Sequence, residues 1–277
     1  MVKLSANVTG NATGVLAPYG LLSPAVKVIE DSDPHWQNGF KYDTLGCAGT
    51  TKIHSICVSA SAGIVTGASA QYRQYRPFLV QTTFACSTMS RTPAEIEALA
   101  KNELDIVTQK AIEKEFLDGV LAQAEAAASG ESANRYLSDS EATSLSVSAV
   151  KPRLGLALLE GALATAGNGA QGVIHAPRNA AAILLLEAEG ETLYTPLDTP
   201  VVAGGGYVLD ADDTTVTLYG TGAVTVRLSP IEVTPDLASQ AVDRAVNTTT
   251  YTAERVVAVT WDSCAHFSVP IDLSLDY

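Results

Sequence analysis

A single helix with a marked start and end constrains the fold of this chain more than any other sequence feature. Residues 91–119 read RTPAEIEALAKNELDIVTQKAIEKEFLDG. Thr92 is the predicted N-cap, Pro93 takes the first helical position, and Glu95 completes a Thr-x-x-Glu capping box. Gly119 predicts the end, because glycine readily adopts the left-handed conformation that closes a helix. Such a helix would be roughly 39 Å long, well above the average for globular proteins.

The predicted helix, Pro93–Asp118, carries apolar residues on more than one side. One apolar stripe consists of Ile96, Leu99, Ala100, Leu104, Val107 and Ala111. Ile112 and Phe116 point to another side and so imply contact with a second surface. The pattern is too irregular for a coiled coil. We interpret the helix as a rigid support beneath a sheet, with an ordinary core helix of a globular enzyme as the alternative.

Composition excludes several functional classes. The chain has 277 residues, 47% of them hydrophobic, so it can bury a substantial core. Its formal net charge is −13 and its Lys and Arg residues form no cluster. Both features argue against a protein that binds the nucleic-acid backbone tightly. No apolar run reaches the length of a signal peptide or a membrane span. We therefore expect a soluble protein made in a reducing cytoplasm.

The residues that could bind metals or catalyse reactions are scattered along the sequence. The cysteines lie far apart, with no Cys-x-x-Cys pair, at Cys47, Cys57, Cys86 and Cys264. We predict buried, reduced thiols rather than a zinc site. No two histidines have ligand spacing; they are His35, His54, His175 and His266. A structural role is therefore predicted for each histidine.

Two short motifs resemble ligand loops without meeting their requirements. The glycines of one motif are Gly204, Gly205 and Gly206. Neither a Lys-Ser/Thr pair nor a helix follows them, so they predict a tight turn rather than a phosphate loop. The other motif is acidic and consists of Asp210, Asp212 and Asp213. It lacks the central glycine and distal glutamate of a calcium loop and predicts a solvated turn. We assign no catalytic, cofactor-binding or metal-binding residue, and nothing in the sequence favours an enzyme.

The N-terminal part of the chain predicts extended structure. Residues 1–37 show no sustained hydrophobic period and are interpreted as an extended arm that docks on another surface. Residues 39–84 contain two strand-like halves joined near 61–63, which predict a long two-stranded hairpin. Because an isolated two-stranded ribbon is marginally stable in water, this hairpin needs a partner surface.

The remainder of the chain predicts a compact α/β region followed by strands. A short helix is expected over 120–128 and a loop over 138–150. The α/β region then comprises a helix at 152–167, a strand at 172–177 and a second helix at 177–190. Further strands are predicted over 204–213, 214–220, 223–233, 248–262 and 264–273.

The order of these elements resembles that of one viral protein family, the major capsid proteins of tailed bacteriophages, which have the Hong Kong 97-type fold. Phrases such as GVIHAPRNAAAILL and YTAERVVAVTWDSCAHFSV are similar to those of actinobacterial-phage capsid proteins. The resemblance implies an α+β fold with five parts. They are an N-terminal arm (1–37), an extended E-loop hairpin (38–85), a peripheral domain with the long spine helix (86–149), an axial α/β domain (150–234) and return strands of the peripheral domain (235–277).

The same resemblance implies a function. The chain would be a non-enzymatic major capsid protein that self-assembles, as pentamers and hexamers, into an icosahedral head around double-stranded DNA. The implied partners are the chain itself and scaffolding, portal and decoration proteins, with no membrane and no cofactor. The implied location is the virion capsid, assembled in the host bacterial cytoplasm. An acidic chain suits this role, because it encloses DNA without binding it tightly.

The chain departs from the family pattern in two respects. Many relatives begin with a charged, helical scaffolding segment that is later cleaved; here the arm begins at Met1. We therefore expect a separate scaffold or none. Some relatives form Lys–Asn cross-links between subunits, and the hairpin contains the lysines Lys41 and Lys52. No family motif transfers onto either lysine, so cross-linking stays open.

Three other functions also stay open. An encapsulin-like compartment shell would share the fold but hold a cargo enzyme. A phage tail or decoration protein would use residues 201–277 as an adhesive β domain, and would leave the long helix unexplained. An acidic hydrolase would need a pocket with perturbed pKa values, which a sequence does not reveal.

Overall fold

The computed structural model describes residues 15–44, 71–87, 91–166, 170–207 and 214–274. Its helices are α1 (Pro93–Asp118), α2 (Val120–Ser129), α3 (Pro152–Ala166), α4 (Arg178–Ile183) and α5 (Ala238–Ala241). Its strands are β1 (Lys27–Glu30), β2 (Phe40–Thr44), β3 (Gln71–Tyr75), β4 (Phe78–Ser87), β5 (Thr143–Ser144), β6 (Val173–Pro177), β7 (Glu187–Glu189), β8 (Thr192–Tyr194), β9 (Pro200–Gly204), β10 (Thr215–Thr221), β11 (Val224–Leu228), β12 (Glu232–Thr234), β13 (Val242–Asp243), β14 (Thr248–Trp261) and β15 (His266–Asp272). The fold class is α+β, as predicted.

A six-stranded sheet supports the long helix. Its longest strand, β14, pairs antiparallel with β4 along one edge and with β11, β12 and β13 in succession along the other. The strand β1 extends the sheet beyond β11, in parallel. Helix α1 packs against β4 and β14. The interpretation of α1 as a support beneath a sheet is therefore confirmed.

Helix α1 begins and ends where the sequence predicts. Both bonds of the capping box between Thr92 and Glu95 are present, and Gly119 closes the helix in the left-handed conformation, with φ of 60°. One line of buried residues follows the helix at four-residue intervals: Ile96, Ala100, Leu104, Thr108, Ile112 and Phe116. Each interval adds about 40° to a full turn, so the line winds roughly 200° around the helix. This winding lets α1 pack against two different surfaces.

A mixed seven-stranded sheet forms the second layer of the molecule, in the order β5-β15-β10-β6-β9-β8-β7. Helix α3 packs on β10 and β15, and α4 packs on β6 and β9. A separate hydrophobic cluster lies between these helices and the sheet; it includes Leu156, Leu159, Leu163, Ile174, Leu218 and Ile271. The described residues thus form two hydrophobic cores, one under α1 and one under α3.

The predicted helix at 177–190 is wrong beyond Ile183. Helix α4 has only six residues, and β7 then pairs with β8 across a turn at Gly190, where φ is 59°. The Ala, Leu and Glu residues of this stretch favour a helix locally, but pairing at the sheet edge outweighs that preference. The strand predicted from 204 is also misplaced, because β9 ends at Gly204. Residues 208–213 lie outside the described part of the chain.

Only the base of the predicted hairpin is described. Strands β2 and β3 form an antiparallel ribbon, while the predicted turn at 61–63 lies outside the described residues. The prediction is wrong after Tyr75, because Pro77 separates β3 from β4 and β4 joins the six-stranded sheet. The residues of β4 alternate between buried and exposed, so one face of the strand must be covered. Helix α1, which packs on the six-stranded sheet, covers that face.

Two further expectations need correction. Of the predicted arm (1–37), the described residues 15–37 pack on their own chain, because Leu21, Val26 and Trp36 are buried in the same core as α1. Of the two C-terminal strands, β14 lies in the six-stranded sheet, whereas β15 pairs with β10 in the seven-stranded sheet. None of the helices in the described part of the chain is both long and apolar enough to cross a membrane.

Candidate functional site

A buried carboxylate joins three distant parts of the chain. Glu113 lies in the C-terminal half of α1 and is fully buried. Its Oε1 accepts the N–H of Leu21 at 2.9 Å, and its Oε2 accepts the N–H of Gly206 at 2.7 Å. Burial raises the pKa of Glu113, although the backbone N–H bonds from Leu21 and Gly206 act in the opposite direction. Glu113 therefore connects α1 to the N-terminal segment and to the turn after β9.

Residues 17–21, which we call the strap, cross from one core to the other. Gln109 of α1 donates its Nε2–H to the carbonyl of Ala17 at 3.2 Å, and Arg178 of α4 donates to the carbonyl of Pro18 at 2.9 Å. The N–H of Ala203 in β9 donates to the carbonyl of Tyr19 at 2.6 Å. The backbone carbonyls of the strap thus accept hydrogen bonds from α1, which packs on the six-stranded sheet, and from α4 and β9 of the other half.

His175 fills a polar position in the core between the two sheets. Its Nδ1 lies 3.1 Å from the hydroxyl of Tyr207, and its Nε2 lies 2.9 Å from Oγ1 of Thr221. The ring of Phe116 meets the imidazole edge-on, with centroids 5.4 Å apart. Burial, followed by the charge of His266, lowers the pKa of His175 to about 3. His175 is a neutral, fully bonded core histidine, which confirms the predicted structural role.

His266 belongs to a second buried polar group. Its Nε2–H donates to the carbonyl of Leu137 at 2.9 Å, and its Nδ1 lies 3.3 Å from a guanidinium nitrogen of Arg135. Arg135 is held by Asp139, with 2.5 Å between Nε and Oδ2, and by Glu141. Burial lowers the pKa of His266. The predicted structural role of this histidine is also confirmed.

The other residues singled out in the sequence are dispersed. Gly205 and Gly206 form a bend after β9, as predicted. His35 is exposed and bonds the carboxylate of Asp33. The prediction of a reduced thiol is wrong for Cys264, which is disulfide-bonded, whereas Cys86 is a half-buried thiol. Lys41 is an exposed residue of β2. Outside the described residues lie His54, Lys52, Cys47, Cys57, Asp210, Asp212 and Asp213.

The described residues assemble no metal-binding group. Within the described ranges, no group of three or more His, Cys, Asp or Glu side chains could hold a metal ion. The two buried histidines are engaged in hydrogen bonds and have lowered pKa values. The role of Glu113 was not predicted from the sequence. Its one signal there is its position directly after Ile112, which belongs to the line of buried residues along α1.

An apolar groove runs along α3. It has a volume of about 970 Å³ and lies between α3 and the loop at 195–199. Two of its leucines are largely exposed, Leu185 at 57% and Leu197 at 73%. Both carboxylate oxygens of Glu160 accept hydroxyl bonds, from Thr195 and Thr199. The outward face of α3 therefore offers water mainly apolar and small side chains.

Comparisons with known proteins find similarity in structure alone. A scan against models of known protein families finds no match, and a search of curated protein sequences finds none either. Among solved structures, the capsid of an empty GTA particle matches with a TM-score of 0.59 at 12% identity, covering 97% of this chain and 95% of that one. The capsid of Ralstonia phage GP4 matches with a TM-score of 0.56 at 8% identity, covering 91% of this chain and 88% of that one.

A compartment protein has a similar structure. The holo-SrpI encapsulin complex from Synechococcus elongatus PCC 7942 matches with a TM-score of 0.54 at 10% identity, covering 97% of this chain and 95% of that one. At such low identities, these likenesses show the fold. The chain has the fold that these capsid and encapsulin chains share, and it is the phage capsid fold that the Hong Kong 97-type resemblance predicts.

Proposed function

We propose that this chain is a major capsid protein that self-assembles into an icosahedral viral head enclosing double-stranded DNA. The observation that carries the proposal is the likeness to the GTA capsid, because it extends over 97% of this chain and 95% of that one. A likeness over nearly both full lengths covers both sheets and the long helix. We assign the chain a structural, non-enzymatic role.

The surface of α3 supports self-association. In its fifteen residues, PRLGLALLEGALATA, the charged side chains are Arg153 and Glu160, and Glu160 is turned toward Thr195 and Thr199. A helix that is apolar on nearly all sides is normally buried. Leu154 is nevertheless 51% exposed, and a second apolar hollow of about 480 Å³ adjoins the other side of α3. An exposed apolar surface of this kind is typical of a protein–protein contact.

The domain assignments belong to the same proposal. The six-stranded sheet with α1 would be the peripheral domain, and the seven-stranded sheet with α3 the axial domain, whose apolar end meets its copies around a symmetry axis. The ribbon of β2 and β3 would be the base of the E-loop. Scaffolding, portal and decoration proteins are the further partners proposed, and the virion capsid, assembled in the host bacterial cytoplasm, is the proposed location.

The charge of the chain supports the proposed content of the shell. With a formal net charge of −13, the chain as a whole gains little from counterion release and repels the DNA backbone. Densely packed DNA would then be confined by the wall without adhering to it.

Particle content tests this function against an encapsulin-like compartment. Particles would be purified from infected or expressing bacteria, treated with nuclease, and analysed for protected nucleic acid and for proteins other than the chain itself. The proposal expects nuclease-protected double-stranded DNA in virions. Shells that hold one abundant cargo enzyme, and no DNA under any condition, would identify a compartment protein instead.

A substitution on α3 tests the proposed contact around the symmetry axis. Gly161 is exposed and an added Cβ would meet no atom within 4 Å, so Gly161→Lys fits the subunit and improves helix propensity. We expect a folded subunit that forms no shells, as measured by sedimentation velocity. Ala98→Lys, on an exposed position of α1, is the control and should assemble. If Gly161→Lys forms normal shells, α3 does not lie in a contact between subunits.

A further inference from the structure

Two neighbouring strands of one sheet continue into two neighbouring strands of the other sheet. Strand β10 leads into β11 through residues 222–223, and β14 leads into β15 through residues 262–265. The two segments are paired on both sides of this place, β10 with β15 in the seven-stranded sheet and β11 with β14 in the six-stranded sheet. Two residues of one segment thus oppose four of the other, and unequal numbers of this kind bend a strand pair. We call residues 222–223 and 262–265 the double crossover.

Hydrogen bonding at the double crossover is weak. The N–H of Gly222 is shared between the carbonyls of Asp262 and Ala265, at 3.2 Å from each. Nε1 of Trp261 and Oγ of Ser263 are buried and have no hydrogen-bond partner among the described residues. Because unpaired buried polar atoms are unfavourable, the bend has less local support than the strand ladders on either side of it.

The loop that follows α2 crosses between the two sheets at the same place. Its Leu137 is buried in the core under α1, and the carbonyl of this residue accepts the Nε2–H of His266, the first residue of β15. These connections therefore lie together, and the two halves of the chain could turn about them if nothing else joined the halves.

The strap joins the two halves at a second place. Tyr19 packs against the core under α3, whereas Leu21 is buried in the core under α1. The strap backbone accepts hydrogen bonds from α1, α4 and β9, and Glu113 of α1 directly accepts the N–H of Gly206. The strap thus connects both cores as well as both sheets.

The buried His175 lies between the two junctions. Its Nε2 is within hydrogen-bond distance of Thr221, which precedes the double crossover, and its Nδ1 is within hydrogen-bond distance of Tyr207, which follows Gly206. Two bodies that are joined at two separate places lose the freedom to turn about either one. The strap therefore fixes the angle between the two sheets.

The strap is held against its own conformational preference. Tyr19 has φ of 69°, a left-handed conformation that is unfavourable for residues with a side chain. The next residue, Gly20, packs so closely on α1 that a Cβ would lie 2.1 Å from Nε2 of Gln109 and 2.6 Å from Oε1 of Glu113. Strained backbone of this kind persists where the surrounding contacts hold it, so the strap depends on its contacts with both halves.

We propose that the double crossover is a hinge between the two sheets and that the strap is the brace that fixes its angle. With the strap in place, the two sheets keep the relative orientation that the structure shows. When the strap is displaced, they turn about the double crossover, while the strands within each sheet stay paired. The inference concerns a single copy of the chain and does not rest on the proposed function.

Two glycine variants test the brace. Gly20→Ala places a Cβ against the side chains of α1 and so displaces the strap. Gly205→Ala is the matched control, because its Cβ meets no atom within 4 Å and its N–H remains. Arg178→Gln is a second test, since it removes the exposed donor to the carbonyl of Pro18 without adding bulk.

Amide hydrogen exchange of the unassembled chain, followed by mass spectrometry, measures the opening of the hinge. The measurement is made in reductant, so that the disulfide bond of Cys264 does not itself restrain the double crossover. In Gly20→Ala we expect exchange at the double crossover to be at least about tenfold faster than in the wild type, with unchanged exchange in the paired strands of both sheets. Arg178→Gln should show a smaller increase at the same residues, and Gly205→Ala none.

The pattern of exchange decides the proposal. Faster exchange that is confined to the strap in folded Gly20→Ala would overturn the hinge, and so would a uniform increase over both sheets, which indicates general destabilisation. An equal increase in Gly205→Ala would overturn the strap as the brace. If Gly20→Ala does not fold, Arg178→Gln is judged by the same outcomes.

Discussion

At the scale of single residues, the polar groups in the core depend on one another. Glu113 can stay in the core because two backbone N–H groups, from Leu21 and Gly206, donate to its carboxylate. A buried acceptor that loses its donors costs more than the net value of the bond, so such a group specifies which segments pack together. The strap and the turn after β9 therefore have one allowed position on α1.

The first prediction concerns this carboxylate. Glu113→Gln keeps the size of the side chain but turns one acceptor into a donor, which then faces a backbone N–H. We expect a loss of about 1–3 kcal/mol in the free energy of unfolding, measured in urea. Glu103→Gln, at an exposed position of the same helix, should change stability by less than about 0.5 kcal/mol. Equal effects of the two substitutions would show that the Glu113 bonds are not needed for folding.

The second prediction concerns pH and His175. Its pKa is about 3 in the folded chain, against 6.5 for an unperturbed histidine. The unfolded chain therefore takes up a proton below pH 6.5 that the folded chain excludes, and stability falls as the pH drops from 6.5 toward 3. From pH 7 to pH 5 this group alone should cost about 2 kcal/mol.

His175→Gln provides the comparison. The variant lacks the titrating ring, so its unfolding free energy should fall by about 2 kcal/mol less than that of the wild type over the same interval. His266, whose pKa is also lowered, is present in both proteins and cancels. Parallel pH profiles of the two proteins would mean that His175 is protonated in the folded chain.

The sequence predicts the exact partners of single residues where local backbone geometry decides them. Thr92, Glu95 and Gly119 act through local capping geometry, and all three are in their predicted roles. In the sequence, Glu113 looks like an ordinary surface glutamate of a helix. Its burial depends on the strap, which the sequence does not place beside α1.

At the scale of elements, helix ends are set by glycines with different surroundings. Gly119 and Gly130 both have positive φ, 60° and 72°, and both close a helix. A Cβ at Gly119 would lie 2.2 Å from the ring of Tyr136, whereas one at Gly130 would meet nothing within 4 Å. The first position therefore has a steric requirement in addition to the conformational one.

The third prediction separates these two requirements. Gly130→Ala should cost about 1 kcal/mol, from the left-handed backbone alone. Gly119→Ala should cost about 2–4 kcal/mol, because the ring of Tyr136 must also move. Urea unfolding of both variants measures the difference. Equal costs would show that Tyr136 moves aside without loss and that the packing at the end of α1 is loose.

The fourth prediction concerns the ribbon. Thr44 and Gln71 lie opposite each other in the register of β2 and β3, so deletion of residues 45–70 can be closed by a two-residue Asn-Gly turn. Because the deletion removes Cys47 and Cys57 while Cys264 is disulfide-bonded, a Cys264→Ser variant of the full chain is the reference for stability. Because we propose that the deleted segment contacts neighbouring subunits, the shortened chain should unfold at nearly the temperature of that variant but form no shells. An unfolded product would show instead that the segment belongs to the core of its own subunit.

Elements could be predicted from the sequence where local pattern and tertiary pairing agree. Helix α1 and strands β6 and β10 meet that condition. At β7 they disagree, because LLLEAEGE has the composition of a helix and only pairing with β8 makes it a strand. The assignment of β4 failed for the same reason: its alternation is visible in the sequence, but its partner β14 is more than 160 residues away, as in the hydrogen bond between Thr83 and Thr252.

At the scale of the whole molecule, several connections join the two sheets. Strand β14 ends in one sheet and β15 begins in the other after a short turn. The strap and the buried His175 group add polar links between the same halves. The two sheets are therefore held by covalent, polar and apolar contacts together, which suits a subunit that transmits force through a shell.

The order of elements was sufficient to predict the fold, because a spine-length helix between a ribbon and an α/β region is a rare combination. The sheet membership of β1, β4 and β15 was not predictable, since it depends on pairings between segments far apart in the sequence. Contacts between copies form between the surfaces of two chains, so a single chain does not show them. Measurements of assembly are therefore the test of these proposed contacts.

Electron cryomicroscopy of the purified, assembled protein would show whether the chain builds a shell. We predict closed icosahedral shells built from pentamers and hexamers, with α1 and its sheet in the wall and the apolar surface of α3 facing each symmetry axis. A reconstruction would place the chain in density without changing its two sheets. A folded chain that stays monomeric at micromolar concentration, under every scaffold and salt condition tested, would contradict the account.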